Sequence, residues 1–278
     1  MTLSETRFRV ARGPGLHVLQ RRGQHGACEL TTQRLLLAPG DSADYQIEGE
    51  EAVVVLLEGR GAFASGNERW LVSRTSPFTD HATALFLPAG HRLRVDAATA
   101  LEAVLVSTPA PSGGAPVLCT PADVAVKTRG RDTYTREVHE IFVKDPHVRR
   151  LMVGETFNAP GQWSSYPPHK HDGRDGEPVL EEIYYYRFDP PHGFGHQMLY
   201  TADGESVTHE VRDGDLVLLP YGYHPVSAAP GYRLYYLWAV AGEQRKLTIY
   251  EDPVHRWVDE VPSDRMDHSG PGLLQRET

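Results

Sequence analysis

Glu182-Ile-Tyr-Tyr-Tyr-Arg-Phe-Asp189 is an apolar, aromatic run that opens on an acid and closes on a turn. Ala52-Val-Val-Val-Leu-Leu-Glu-Gly59 resembles it at an offset of 130 residues. Downstream, Phe86-Leu-Pro-Ala-Gly-His91 resembles Leu218-Leu-Pro-Tyr-Gly-Tyr-His224, offset by 132 at the prolines. Two matches at nearly one spacing predict a duplicated β module.

The surroundings agree with strands. Short apolar or alternating runs recur at Leu16–Leu19, Arg34–Leu37, Ala82–Leu87, Leu101–Val106, Leu151–Phe157, Gln197–Thr201, Ser206–Val211, Leu216–Leu219 and Tyr232–Val240. Turn clusters such as Pro39-Gly40-Asp41, Gly59-Arg60-Gly61, Ala202-Asp203-Gly204 and Arg212-Asp213-Gly214 separate them. With 26 Gly and 21 Pro, long helices have little room. The expected fold is all-β, with one module over residues 1–110, a Pro/Gly/Ala-rich connection over 111–130, a second module over 131–250 and a polar tail over 251–278. One helical turn is expected near Val254–Val258.

Composition narrows the function. The chain has 278 residues, 28 Lys plus Arg against 37 Asp plus Glu, and a net charge of −9. No basic face is evident, so nucleic acid is not an expected partner. Two cysteines, Cys28 and Cys119, make no disulfide framework. No signal-peptide core or membrane-length apolar run is seen, so a cytoplasmic protein is expected. Histidine and tyrosine are lopsided: 10 of 14 His and 12 of 13 Tyr follow residue 130.

The sharpest local signal is Ser164-Ser-Tyr-Pro-Pro-His-Lys-His-Asp172. On a strand, His169 and His171 project from the same face. Glu182 can add a carboxylate, and His224, after the turn at Pro220–Gly222, a third imidazole. Three His and one Glu suit a divalent first-row metal with coordination positions to spare. Glu181 rivals Glu182, because a one-residue slip in register exchanges them. The first half lacks this set: Ala52 stands where Glu182 does, and His91 is alone, so no metal is expected there.

These motifs resemble the cupin superfamily: H-x-H, then Glu on the next strand, then P-x-G and His. More narrowly, Gly154-Glu-Thr-Phe-Asn, Trp163–Asp172, Glu181-Glu-Ile-Tyr-Tyr-Tyr-Arg and Gly222-Tyr-His-Pro resemble the 5-deoxyglucuronate isomerase family of myo-inositol catabolism. Two features depart from the general cupin pattern: a long gap between His171 and the Glu, and one residue, not two, between Gly222 and His224. The resemblance implies a bicupin, two jelly-roll modules of which the second bears metal. It implies ligands at His169, His171, Glu182 and His224. The family reaction turns 5-deoxy-glucuronate into 5-dehydro-2-deoxy-gluconate, an aldose–ketose isomerisation.

Such a reaction moves a proton between C2 and C1, and a cation chelating both oxygens stabilises the enediolate. Glu181, Tyr184 and Tyr186 are the candidates for proton transfer. Arg187 ranks first for the substrate carboxylate, ahead of Lys170, Arg149 and Arg150. Zn, Mn, Fe and Ni all fit the donor set. The partner is a small sugar acid, with no membrane involved, and a homo-oligomer follows the habit of jelly rolls. Competing readings are a 4-deoxy-5-keto-uronate isomerase, a cupin Fe(II) oxygenase and a non-catalytic sugar-binding cupin.

Overall fold

The computed structural model describes residues 2–9, 13–46 and 48–260; of the tail expected over 251–278, the part beyond residue 260 lies outside them. It holds two curled β units. In the first, a sheet runs in the spatial order Val117–Cys119, Thr83–Leu87, Glu50–Ser65, Leu101–Pro109, Thr31–Leu37, Gly15–Gln20. In the second the order is Arg7–Phe8, Leu216–Leu219, Glu181–Asp189, Arg233–Ala241, Met152–Asn158, Arg136–Glu140, Ala125–Arg129. Every pairing in both sheets is antiparallel.

The registers repeat as well as the strands. Ala52 faces Leu87 and Ser107 across its two neighbours, and Glu182 faces Leu219 and Val240 in the same way. The duplication read from sequence is therefore a duplication of pairing. The edge position breaks the pattern. Val117–Cys119, inside the stretch expected as a connection, closes the first sheet, whereas Arg7–Phe8 crosses over to close the second.

Alternation divides each central strand between two environments. Val53, Val55, Ile183, Tyr185, Tyr235 and Leu237 join one buried cluster shared by both units. Ala52, Val54 and Leu56 face the interior of the first roll. Tyr184, Tyr186 and Phe188 face the interior of the second. The molecule thus has three apolar layers, and any chemistry on Glu182 parity lies inside the second roll.

Polar pairs pin the shared layer. Arg74 and Glu155 form a fully buried ion pair at 2.7 Å, and Tyr235 donates to the same carboxylate at 2.8 Å. Glu102 accepts from Arg34, Arg187 and Tyr185 at 2.8–3.0 Å. A buried charge without such partners costs several kcal/mol, about 3–5 when one member of a pair is removed.

Gly59-Arg60-Gly61 departs from expectation. It is no turn: the Glu50–Ser65 strand runs through it, with a register shift between Leu56 and Glu58, and passes from one sheet to another. A Cβ on Gly59 would meet the Ala100 carbonyl oxygen at 2.3 Å, and one on Gly61 that of Asp96 at 2.2 Å. Glycine here permits close backbone approach at a bend rather than reversal of the chain. Near the end of the described chain, the helical turn spans Trp257–Glu260, slightly later than expected. Among the described residues no helix is long and apolar enough to cross a membrane.

Candidate metal centre

Glu182 enters the second roll from the start of the Glu181–Asp189 strand, with Tyr184 on the same face. Oε2 of Glu182 lies 3.1 Å from Nε2 of His171 and 3.4 Å from Nε2 of His224. All three side chains are buried. Their donor atoms fall within 4.8 Å of one another.

Backbone carbonyls set the imidazole tautomers. Nδ1 of His171 lies 2.8 Å from the Leu180 oxygen, and Nδ1 of His224 lies 3.0 Å from the Gly222 oxygen. With a proton on each Nδ1, both Nε2 lone pairs turn toward the Glu182 carboxylate. Nε2 of His224 is buried with no hydrogen-bond partner. Three acceptors aimed at one point, one of them orphaned, fit a divalent cation. His169 stands beside them, its ring 4.8 Å from that of His224 and edge-on to it, outside the tight group of three.

Burial and mutual repulsion favour the neutral form of His169 and His224, and His171 is drawn the other way. Burial first, then the His171 and Arg136 charges, push His169 down to about 3. Burial and His169 push His224 down to about 3 against the pull of Glu182. For His171 burial works the same way, but the hydrogen bond and charge of Glu182 outweigh it and raise the group. Metal binding at His171 therefore competes with the proton that the Glu182 charge favours there.

The surroundings explain the long insertion between His171 and Glu182. Lys170 points away from the centre and is held by Asp172 at 2.7 Å, Asp175 at 2.8 Å and Glu177 at 2.5 Å. Asp172 accepts the Gly222 amide at 3.1 Å, which ties the insertion to the turn that carries His224. Gln197 donates to the carbonyls of His224 at 2.8 Å and Pro225 at 3.1 Å. Sequence reading missed this outer layer, because Asp172 and Glu177 look like ordinary loop acids until the chain folds back.

Of the four catalytic candidates from sequence, three lie away from the centre and one, Tyr184, lies at it. Glu181 has the opposite parity to Glu182 and points into the other unit. Its carboxylate accepts the amides of Cys28 at 2.6 Å, Glu29 at 3.2 Å and Leu30 at 2.8 Å. Arg187 is also on the shared layer, paired with Glu102 and Asp213, so it does not reach the centre. Tyr186 has the right parity but lies deeper and donates to Gln197 at 2.5 Å. Tyr184 alone of these lines the cavity over the centre; its hydroxyl shares a 2.8 Å hydrogen bond with Ser165. Burial, then the Glu182 charge, raise its pKa well above the ordinary phenol value.

That cavity measures about 120 Å³ and is bounded by Arg136, His169, His171, Glu182, Tyr184, Tyr236 and Trp238 among others. Arg136 escaped the sequence reading because Arg-Glu-Val-His-Glu carries no motif. A larger cavity of about 480 Å³ lies between the units, near Phe78, His81 and His139. No described group of three metal-ligating side chains converges there.

Two jelly rolls sharing a buried layer, with an inward His/Glu cluster in one of them, define a bicupin. Likeness to known proteins narrows this further. The KduI/IolB family model matches residues 10–258, and the chain belongs to that family. It is 37% identical over 236 residues to the 5-deoxy-glucuronate isomerase of Geobacillus kaustophilus (strain HTA426), covering 81% of this chain and 84% of the relative. The Bacillus subtilis (strain 168) protein of the same name is 33% identical over 229 residues, 80% of this chain and 84% of its own. The chain is an isomerase. Among solved structures, an IolB-like protein from Salmonella typhimurium LT2 superposes with a TM-score of 0.86 at 30% identity, over 91% of this chain and 99% of that one. Lactobacillus farciminis oxalate decarboxylase superposes with a TM-score of 0.66 at 13% identity, over 97% and 92%, and shows the shared fold.

Proposed function

We propose that the chain converts 5-deoxy-glucuronate to 5-dehydro-2-deoxy-gluconate in the cytoplasm, as a step of myo-inositol catabolism. The observation that carries this is the convergence of His171 Nε2, His224 Nε2 and Glu182 Oε2 beneath a cavity, in a chain whose relatives bear that substrate in their names. His169, His171, Glu182 and His224 would hold the metal, Zn, Mn, Fe or Ni. A bound divalent cation supplies Lewis acidity at the aldehyde carbonyl and its neighbouring hydroxyl.

The chain's own residues do the rest. The carbonyls of Leu180 and Gly222 hold both imidazoles in one tautomer. Tyr184 stays protonated and offers a hydrogen bond toward the oxygen where charge develops, with Ser165 orienting its hydroxyl. Tyr236 and Trp238 wall the cavity. The second unit, residues 131–250 in this reading, performs the chemistry, and the first serves as scaffold.

Proton NMR of the metal-loaded protein with 5-deoxy-glucuronate, without oxygen and in deuterated water, tests the reading. Loss of the aldehyde-hydrate signals and growth of a ketose are expected. An unchanged spectrum from folded, metal-replete protein rejects the substrate. Oxygen consumption in a parallel aerobic sample would instead favour an oxygenase.

A further inference from the structure

Arg136 opens the strand Arg136–Glu140 and stands between the two cavities: it borders the larger one and, with Val138, lines the one over His169, His171 and Glu182. Its Nη1 donates to the carbonyls of Tyr166 at 3.1 Å and Tyr134 at 3.3 Å. Gly130 makes room for it: a Cβ there would stand 2.6 Å from Nη1. Main chain, rather than an acid, therefore fixes the guanidinium.

Its charge has no described counterpart. Among the described residues no carboxylate pairs with Arg136, and none takes a hydrogen bond from its Nε or Nη2. Arg34 and Arg187 are paired with Glu102, and Arg150 with Glu29. Arg245 also lacks a described acid, but its Nε, Nη1 and Nη2 all donate to main-chain carbonyls, of Leu151, Asp145 and Phe142. The free Nε–Nη2 edge is the side of a guanidinium that grips a carboxylate with two parallel hydrogen bonds. Within the cavity, the Glu182 carboxylate is turned to the imidazoles. The cationic alternatives near the motif are spent, Lys170 on three acids and Arg187 on the shared layer.

We propose that Arg136 binds the carboxylate of a sugar-acid ligand and makes this cavity select uronates over neutral aldoses. The inference deepens the reading of the cavity as a sugar-acid site and rests on it. A site built around an unpaired charge discriminates strongly, because a neutral ligand leaves that charge unmet in a half-enclosed space.

The test is calorimetric titration of the metal-loaded wild type, Arg136→Met and Arg136→Lys with glucuronate and with glucose. Bound metal and the unfolding midpoint are measured on each sample. The wild type is expected to prefer glucuronate by roughly 10- to 100-fold, the range that charge-assisted bidentate bonds support. Arg136→Met is expected to bring the two affinities within about twofold while bound metal stays at the wild-type level. Arg136→Lys, which keeps the charge and loses the fork, falls between. A wild type without preference, or an Arg136→Met protein that keeps the preference, overturns the proposal. So does an equal weakening of both sugars, the mark of a structural role. Should Arg136→Met fail to fold, Arg136→Lys decides: a preference cut severalfold supports the fork, and an undiminished one overturns it. Binding needs no turnover, so failure to isomerise 5-deoxy-glucuronate sinks the proposed reaction without deciding the carboxylate site.

Discussion

Glu51-Ala52 and Glu181-Glu182 hold the same place in the two halves, and their first residues do the same work. Glu51 accepts the amides of Arg149, Arg150 and Leu151 at 2.7–2.9 Å. Glu181 accepts those of Cys28, Glu29 and Leu30 at 2.6–3.2 Å. Each carboxylate thus buckles its own half to the segment entering a core strand of the other. The second residues part company. Ala52 sits among Val54, Leu87 and Leu105 in an apolar interior, whereas Glu182 meets two imidazoles. What the halves share holds the assembly together, and what they do not share is the chemistry.

The largest effect that can break this comparison is on activity. Glu182→Gln, His171→Ala and His224→Ala are each expected to lose the bound metal and at least about 10³-fold in kcat/KM, a loss of about 4 kcal/mol. The unfolding transition should remain cooperative. Normal turnover by a metal-free variant would show that the asymmetry is not catalytic.

Next comes the shared layer. Arg74→Met strands Glu155 in a site with no solvent and is expected to cost about 3–5 kcal/mol in denaturant unfolding. A cost below 1 kcal/mol would mean that the halves do not depend on this pair.

The buckles should then prove equivalent. Glu51→Gln and Glu181→Gln each weaken three amide bonds to a charged acceptor, and each is expected to cost about 2–3 kcal/mol. Neither should change the bound metal. Unequal costs would sharpen the comparison by showing which half leans on the other.

The smallest effect is a pH dependence. Burial raises the Glu102 carboxyl, but Arg187 and Arg34 outweigh it and hold the group below its ordinary 4.5. The stabilisation is therefore complete above the unfolded-chain value and is lost as pH falls through the lower folded value. Stability measured below pH 4.5 should fall more gently in Glu102→Gln than in the wild type.

The contrast between the halves was legible from the sequence to the extent that parity governs it. Ala52 against Glu182 and the single-face pair His169/His171 are period-2 statements, and strands obey that period. The strands that escaped notice, such as Ser42–Gln46, Arg92–Ala97 and Arg136–Glu140, have polar outer faces and no apolar run. Gly59-Arg60-Gly61 misled because glycine serves close approach as well as turns. Arg187 attracted attention by lying next to the motif, yet one residue along a strand is the opposite face. Arg136 reaches the cavity over the centre from a strand that only the fold brings near, and no local pattern marks it.

Metal content of the Glu181→Gln and Glu182→Gln proteins, measured beside the wild type by elemental analysis, separates a single metal inside the second roll from the alternatives. One divalent ion per chain is expected in the wild type and in Glu181→Gln, and essentially none in Glu182→Gln. Two ions per chain in the wild type, or retention by Glu182→Gln with loss in Glu181→Gln, would contradict a single metal there.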